Sequence, residues 1–233
     1  MPFELAGSEM VGLTRDSLAS LRSVLFRDAG ANAAAYLQEA GYAGGNALYQ
    51  TFGAWCAASG LAMPENMAAP EFEARAAQFF GELGWGAVTV GTLHDSVLTL
   101  DSVNWAEADP ASGMQYPGCY LSAGLLADFL GRIAGVQLVV MEVECRSMGS
   151  ERCRFLVGSS ETIQYVYDAM TQGMSYDQSL AQMALSWLLK DKRVTTVLIG
   201  VSSTEQLDNN LACLNNRQFS VQELEEIESI LKG

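Results

Sequence analysis

The chain holds five cysteines and a single histidine in 233 residues. Three of the cysteines, Cys119, Cys145 and Cys153, fall close together, with the carboxylates Glu142 and Glu144 beside them. Thiolates and carboxylates are ligands for zinc, which takes three or four such groups converging tetrahedrally. Cys145 and Cys153 bracket the short segment RSMGSE and would face each other across a turn. Cys119 opens a helical stretch, where a helix N-terminus favours a thiolate. Residues 142 and 145 have opposite parity, so a regular strand would send them to opposite faces. Either a bulge sits near Glu144 or the strand ends there. The plainer reading is that these cysteines are small buried apolar residues.

Other chemistry finds little support. His94 is the only histidine, so no Ser/His/Asp set can be assembled beyond it, and it reads as an exposed turn residue. GGN at 44–46 precedes a helix but follows no strand, so it lacks the context of a dinucleotide-binding loop. A small apolar ligand would need a pocket between helices and sheet. Candidate lining residues are Phe79, Phe80, Trp105, Tyr120, Phe129 and Met141. Each of these would equally well fill a core.

The elements that would position these groups follow from apolar spacing. A helix runs from the N-cap Thr14 to about Ala40 and Gly30 divides it; AGYAGG (40–45) reads as a turn, and a second helical pattern follows through Trp55. MPENMAAP (63–70) is a loop, and 71–83 is helical. The β-branched runs 87–93 and 96–108 form a hairpin. A loop, 108–118, leads to a helix over 119–135 that stops at Gly135. Strands at 136–145 and 152–157 complete an α+β fold: a four-stranded antiparallel sheet with helices packed on it. The remainder is a mostly helical appendage. Helices begin at Ser160, VTTVLIG (194–200) reads as a short buried strand, and 203–214 and 220–231 are helical, with a capping-box spacing at Ser220 and Glu223. The order over 179–233 is helix, strand, helix, helix, which suggests domains at 1–178 and 179–233.

Nearly half the residues are apolar, enough for a sizeable core. The net charge of -14 disfavours nucleic acid as a partner, since phosphate binding needs clustered Lys and Arg. The charge is uneven: 8 basic against 20 acidic residues over 1–178, and 5 against 7 over 179–233. No apolar run is long enough to span a membrane, and the start MPFELAGSEM lacks the basic and apolar regions of a secretory signal. A cytoplasmic protein with reduced thiols is expected.

YPGCYLSAGLLADFLGRIAG followed by VQLVVMEVECRSMGSERCRFLVGS resembles the vinyl-4-reductase domain, and the resemblance extends over about residues 10–178. That family includes the aromatic-sensing modules of bacterial phenol- and xylene-responsive activators, where three Cys and one Glu hold zinc. The resemblance implies a structural Zn2+ on Cys119, Glu142, Cys145 and Cys153, and selects Glu142 over Glu144. It implies a sensor domain that binds a small hydrophobic molecule (aromatic, tetrapyrrole or lipid-like) and forms a homodimer. The sensors' His–Trp pair has no match in His94, Trp85 or Trp105.

The segment AQMALSWLLKDKRVTTVLIGVSSTEQLDNNLACLNNRQFSVQELEEI resembles the end of an aldo-keto reductase, whose cofactor loop corresponds to Gly200, Ser202, Gln206 and Asn210. The family's catalytic residues lie on earlier strands that have no counterpart here, so no catalytic or cofactor-binding residue is assigned. A binding module is expected rather than an enzyme. The alternative is a reductase, or a reductase-associated protein, acting on a vinyl or carbonyl group.

Overall fold

The computed structural model describes residues 3–5, 8–10, 12–94 and 97–215. The chain divides into two compact units, one comprising residues 1–93 and 98–158 and the other 94–97 and 159–233.

The first unit begins with a small antiparallel hairpin, β1 (Phe3–Leu5) and β2 (Ser8–Met10). Helix α1 (Arg15–Ala29) is capped by the Thr14 side chain, which accepts from the Ser17 amide. It ends at Gly30, whose φ of 55° turns the chain into α2 (Asn32–Ala58). Helix α3 (Ala69–Glu82) leads to strands β3 (Thr89–His94) and β4 (Val97–Ser102). Helix α4 (Tyr120–Ala134) stops at Gly135, with φ 69°. Strands β5 (Val139–Glu144) and β6 (Cys153–Gly158) complete a four-stranded antiparallel sheet of order β3-β4-β6-β5. This is the α+β architecture expected from the sequence.

AGYAGG is not a turn. It lies within α2, which runs unbroken for 27 residues. Glycine costs helix stability, but here it lets two helices touch backbone to backbone. A Cβ on Gly41 would sit 2.0 Å from the Leu121 carbonyl oxygen, and one on Gly124 would sit 2.0 Å from that of Gln38. The glycines of α2 and α4 therefore face each other and bring the helices into direct contact. Beneath them lies an aromatic core of Phe52, Phe79, Phe80, Trp105, Phe129 and Phe155, all at most 1% exposed.

The second unit holds α5 (Ser160–Thr171), α6 (Tyr176–Lys190) and α7 (Thr204–Leu211). A full capping box at Ser175 and Gln178 starts α6. Gln182 of α6 donates to the Asn209 carbonyl at 2.7 Å, and Ser186 donates to that of Cys213 at 3.2 Å, fastening α6 to α7 and the turn after it. The strand expected at 194–200 is absent: the segment is irregular and Leu198 is 94% exposed. A β-branched run needs a neighbouring strand to take its N–H and C=O groups. None pairs with it among the described residues. The helix expected over 220–231 lies outside the described residues.

Candidate metal centre

Cys119 immediately precedes α4, and the loop before it is built to hold that position. The buried Glu107 carboxylate accepts from the Leu121 amide at 3.1 Å and the Ser122 amide at 2.7 Å, satisfying two free donors of the first helical turn. The Cys119 amide donates to Glu142 Oε2 at 2.8 Å. Glu142 lies on β5 opposite Phe155, and a register shift between Glu142 and Glu144 interrupts the ladder with β6. The parity problem in the sequence is resolved there by a bulge, which is a common way to re-aim a side chain. Cys145 then leaves the strand and caps a 3-10 turn at Arg146–Met148, its sulfur accepting from the Ser147 amide at 3.4 Å. Gly149, with φ 91°, reverses the chain toward Cys153, the first residue of β6. Ser147 also anchors the turn to the preceding loop: its hydroxyl accepts from the Asp109 amide at 2.9 Å and its carbonyl from the Met114 amide at 2.9 Å.

One ligand atom from each of Cys119, Glu142, Cys145 and Cys153 lies within 4.8 Å of every other. The Cys119 and Cys145 sulfurs are 3.8 Å apart. Two sulfurs bound at about 2.3 Å to one tetrahedral metal would be separated by about 3.8 Å. All five cysteines are free thiols. Glu142 Oε1 is buried with no hydrogen-bond partner. A buried carboxylate oxygen left in that state costs free energy, and a cation would supply its missing partner. The residues present therefore fit a metal ion.

The electrostatics point the same way. The Cys119 and Cys153 thiols donate toward Cys145 and hold its sulfur far below the ordinary thiol value. Cys119 is pushed well up by its hydrogen bonds to Cys145 and Cys153 and by burial. Cys153, which Cys119 alone would lower, is driven up by Cys145 and by burial. Burial, then the charge at Cys145, lifts the Glu142 carboxyl to about 8. Without a cation the cluster thus accommodates one sulfur anion readily and resists the rest. A divalent metal would let all four ionise.

Glu144, the rival carboxylate, is committed elsewhere. It accepts from Arg152 at 2.9 and 3.1 Å and lies 3.8 Å from Arg154. The apolar candidates occupy two settings. Phe79, Phe80, Trp105 and Phe129 are stacked against one another with centroids 5.6–5.8 Å apart for neighbouring pairs. Tyr120 is half-buried beside Phe26, and Met141 is half-buried opposite Leu156. A separate open groove of about 290 Å³ runs between α2, α4 and the start of β5, lined by Tyr42, Ala123, Ala127, Leu138 and Val140. Ser202 and Gln206 bond each other at 2.7 Å beside α7 and are exposed.

Sequence reasoning missed Arg22 and Glu107. Arg22 lies four residues after the buried Leu18, on the same face of α1, and is itself buried. An arginine at an apolar helical position was the available signal.

Residues 101–159 match the vinyl-4-reductase domain family, and residues 135–232 match the aldo/keto reductase family. All four candidate ligands fall inside the first match. Among curated proteins, the chain is similar to L-glyceraldehyde 3-phosphate reductase of Escherichia coli O157:H7, with 63% identity over 51 residues, and of Escherichia coli strain K12, with 65% over 51 residues. These alignments cover 22% of the chain and only 15% of each relative's length. Among solved structures, it is similar to the phenol-responsive sensory domain of the transcription activator PoxR with phenol, at 20% identity and a TM-score of 0.48, covering 66% of this chain and 79% of that one. It is also similar to a vinyl-4-reductase family protein from Methanocaldococcus jannaschii, at 20% identity and a TM-score of 0.43, covering 64% and 83%. The chain therefore carries vinyl-4-reductase domain sequence across its candidate metal ligands and aldo/keto reductase sequence in its C-terminal region.

Proposed function

We propose that the unit carrying the vinyl-4-reductase match is a zinc-stabilised binding or sensor domain for a small hydrophobic molecule. The observation that carries this reading is the closed ligand set of Cys119, Glu142, Cys145 and Cys153. Three sulfurs and one carboxylate favour zinc over harder cations. Four anionic protein ligands leave no open coordination position for water, so the metal is structural. It would clamp the first turn of α4 to the β5–β6 hairpin. Phe79, Phe80, Trp105, Tyr120, Phe129 and Met141 lie on the elements so held. The ligand enters among these residues by parting their side chains.

Free thiols throughout support a reducing, cytoplasmic setting. Among the described residues no helix is long and apolar enough to cross a membrane. We read the protein as a homodimer with domains at 1–178 and 179–233, and its acidity disfavours nucleic acid as a partner. Sedimentation of the full chain tests the dimer.

The ligand reading is tested by native mass spectrometry of protein purified from its own host. A co-purifying apolar molecule, lost in a Phe129→Trp variant that fills the space, is expected. Ligand-free protein that also binds none of a panel of phenols, tetrapyrroles and fatty acids would defeat it. A second reading, reductase or reductase-associated protein, draws on the aldo/keto reductase match. Saturable NADPH binding would favour it.

A further inference from the structure

Beneath α1 lies a polar network that the metal ligands do not include. The Arg22 side chain is 5% exposed and that of Glu107 is fully buried. Arg22 Nε lies 3.4 Å from Glu107 Oε1. Its Nη1 donates to the Glu107 carbonyl, and its Nη2 donates to the Gly118 carbonyl at 2.6 Å. Gly118 is the residue before the ligand Cys119. Its Cα is closely walled: an added Cβ would meet Met114 at 2.6 Å and Arg22 Nη2 at 3.0 Å. Glu107 in turn holds the amides of Leu121 and Ser122 and accepts from the Ser122 hydroxyl, which accepts from Trp105 Nε1 at 2.7 Å. The backbone on both sides of Cys119 is thus fixed by two side chains, one from α1 and one from the loop before α4.

A buried ion pair costs desolvation that its own attraction scarcely repays, so its retention calls for a further role. A dication held by three thiolates and one carboxylate carries a net charge of about -2, and Glu107 adds another anion nearby. Arg22 is the buried cation of this network.

We propose that Arg22 and Glu107 are positioning residues for the metal centre, so that metal occupancy and the seating of α1 are thermodynamically coupled. Arg22 presets Cys119 through Gly118 and offsets the centre's negative charge, while Glu107 fixes the first turn of α4. Residues outside a metal's own ligand set typically change affinity by about 10–100-fold. The coupling is reciprocal: whatever Arg22 contributes to metal affinity, the metal contributes to holding α1. This inference rests on the metal reading above.

The test uses the full chain. Zinc affinity is measured by chelator competition for wild type, Arg22→Gln, Arg22→Lys and Glu107→Gln, and cobalt(II)-loaded proteins are compared by thiolate-to-metal absorption. About tenfold or greater loss of affinity with an altered cobalt spectrum in Arg22→Gln, partly restored in Arg22→Lys, is expected. A role confined to folding would lower thermal stability while leaving folded-state affinity and spectrum unchanged, and that result overturns the proposal. Should Arg22→Gln not fold, hydrogen exchange on wild type decides. Metal removal is expected to speed exchange in residues 15–29 relative to 160–171, and unchanged relative protection overturns the coupling. Wild type that binds no metal defeats this inference and the metal reading together. Tight wild-type binding with indifferent variants defeats the inference alone.

Discussion

At the scale of single residues, the centre depends on four side chains drawn from a helix start, a bulged strand, a turn and a strand start. Cys153→Ser removes a soft ligand. It is expected to cost at least about 3 kcal/mol, because structural metal binding is folding free energy, and the zinc content of purified protein should fall with it. Thermal melts with paired elemental analysis measure both. The pH dependence has a definite sign. In metal-free folded protein the Glu142 carboxyl titrates at about 8, against an ordinary value of 4.5. Between those values the folded state keeps a proton that the unfolded state releases, so metal-free stability falls as pH rises through that window. Metal binding requires the deprotonated carboxylate, so the metal's stabilising effect grows over the same window. The gap in melting temperature between metal-loaded and chelated protein should widen from about pH 5.5 to about pH 8. A constant gap would remove Glu142 from the ligand set. Spacing alone exposed the three cysteines and the parity conflict between Glu142 and Cys145, but it left Glu144 as a rival. The bulge and the guanidinium partners of Glu144 separate the two carboxylates, and both depend on the cross-strand neighbours of β6.

At the scale of elements, the decisive contact is the approach of α2 to α4. Gly41→Ala would place a Cβ 2.0 Å from a backbone oxygen that cannot rotate away. A loss of about 2–3 kcal/mol is expected, seen as a lowered denaturant midpoint, with weakened metal retention because Leu121 sits two residues beyond Cys119. Gly44→Ala is the control. Its Cβ would lie 3.3 Å from the end of the Leu125 side chain, which can move, and alanine's helix propensity would return up to about 1 kcal/mol. These same glycines explain why the sequence misled over AGYAGG. Local propensity reads them as a turn, whereas the partner helix that makes them useful lies some 80 positions further along the chain. VTTVLIG fails for the converse reason: its residues favour a strand, but a strand exists only with a ladder partner. The strands, the loop over 108–118 and the helix ended by Gly135 were legible, since their patterns and stop signals are local.

At the scale of the whole molecule, an acidic chain holds two units, and the vinyl-4-reductase match falls almost wholly within the first. The aldo/keto reductase match spans their boundary, from 135 to 232. No single fold-wide pattern in the sequence announces that division; it emerges from which elements touch. The central claim concerns the first unit, and it reduces to whether the four converging side chains hold zinc. Elemental analysis of natively purified, folded protein measures this directly. About one zinc per chain is expected, falling to background in Cys153→Ser. Folded wild-type protein that contains no zinc, and takes up none when zinc is added, would contradict the account.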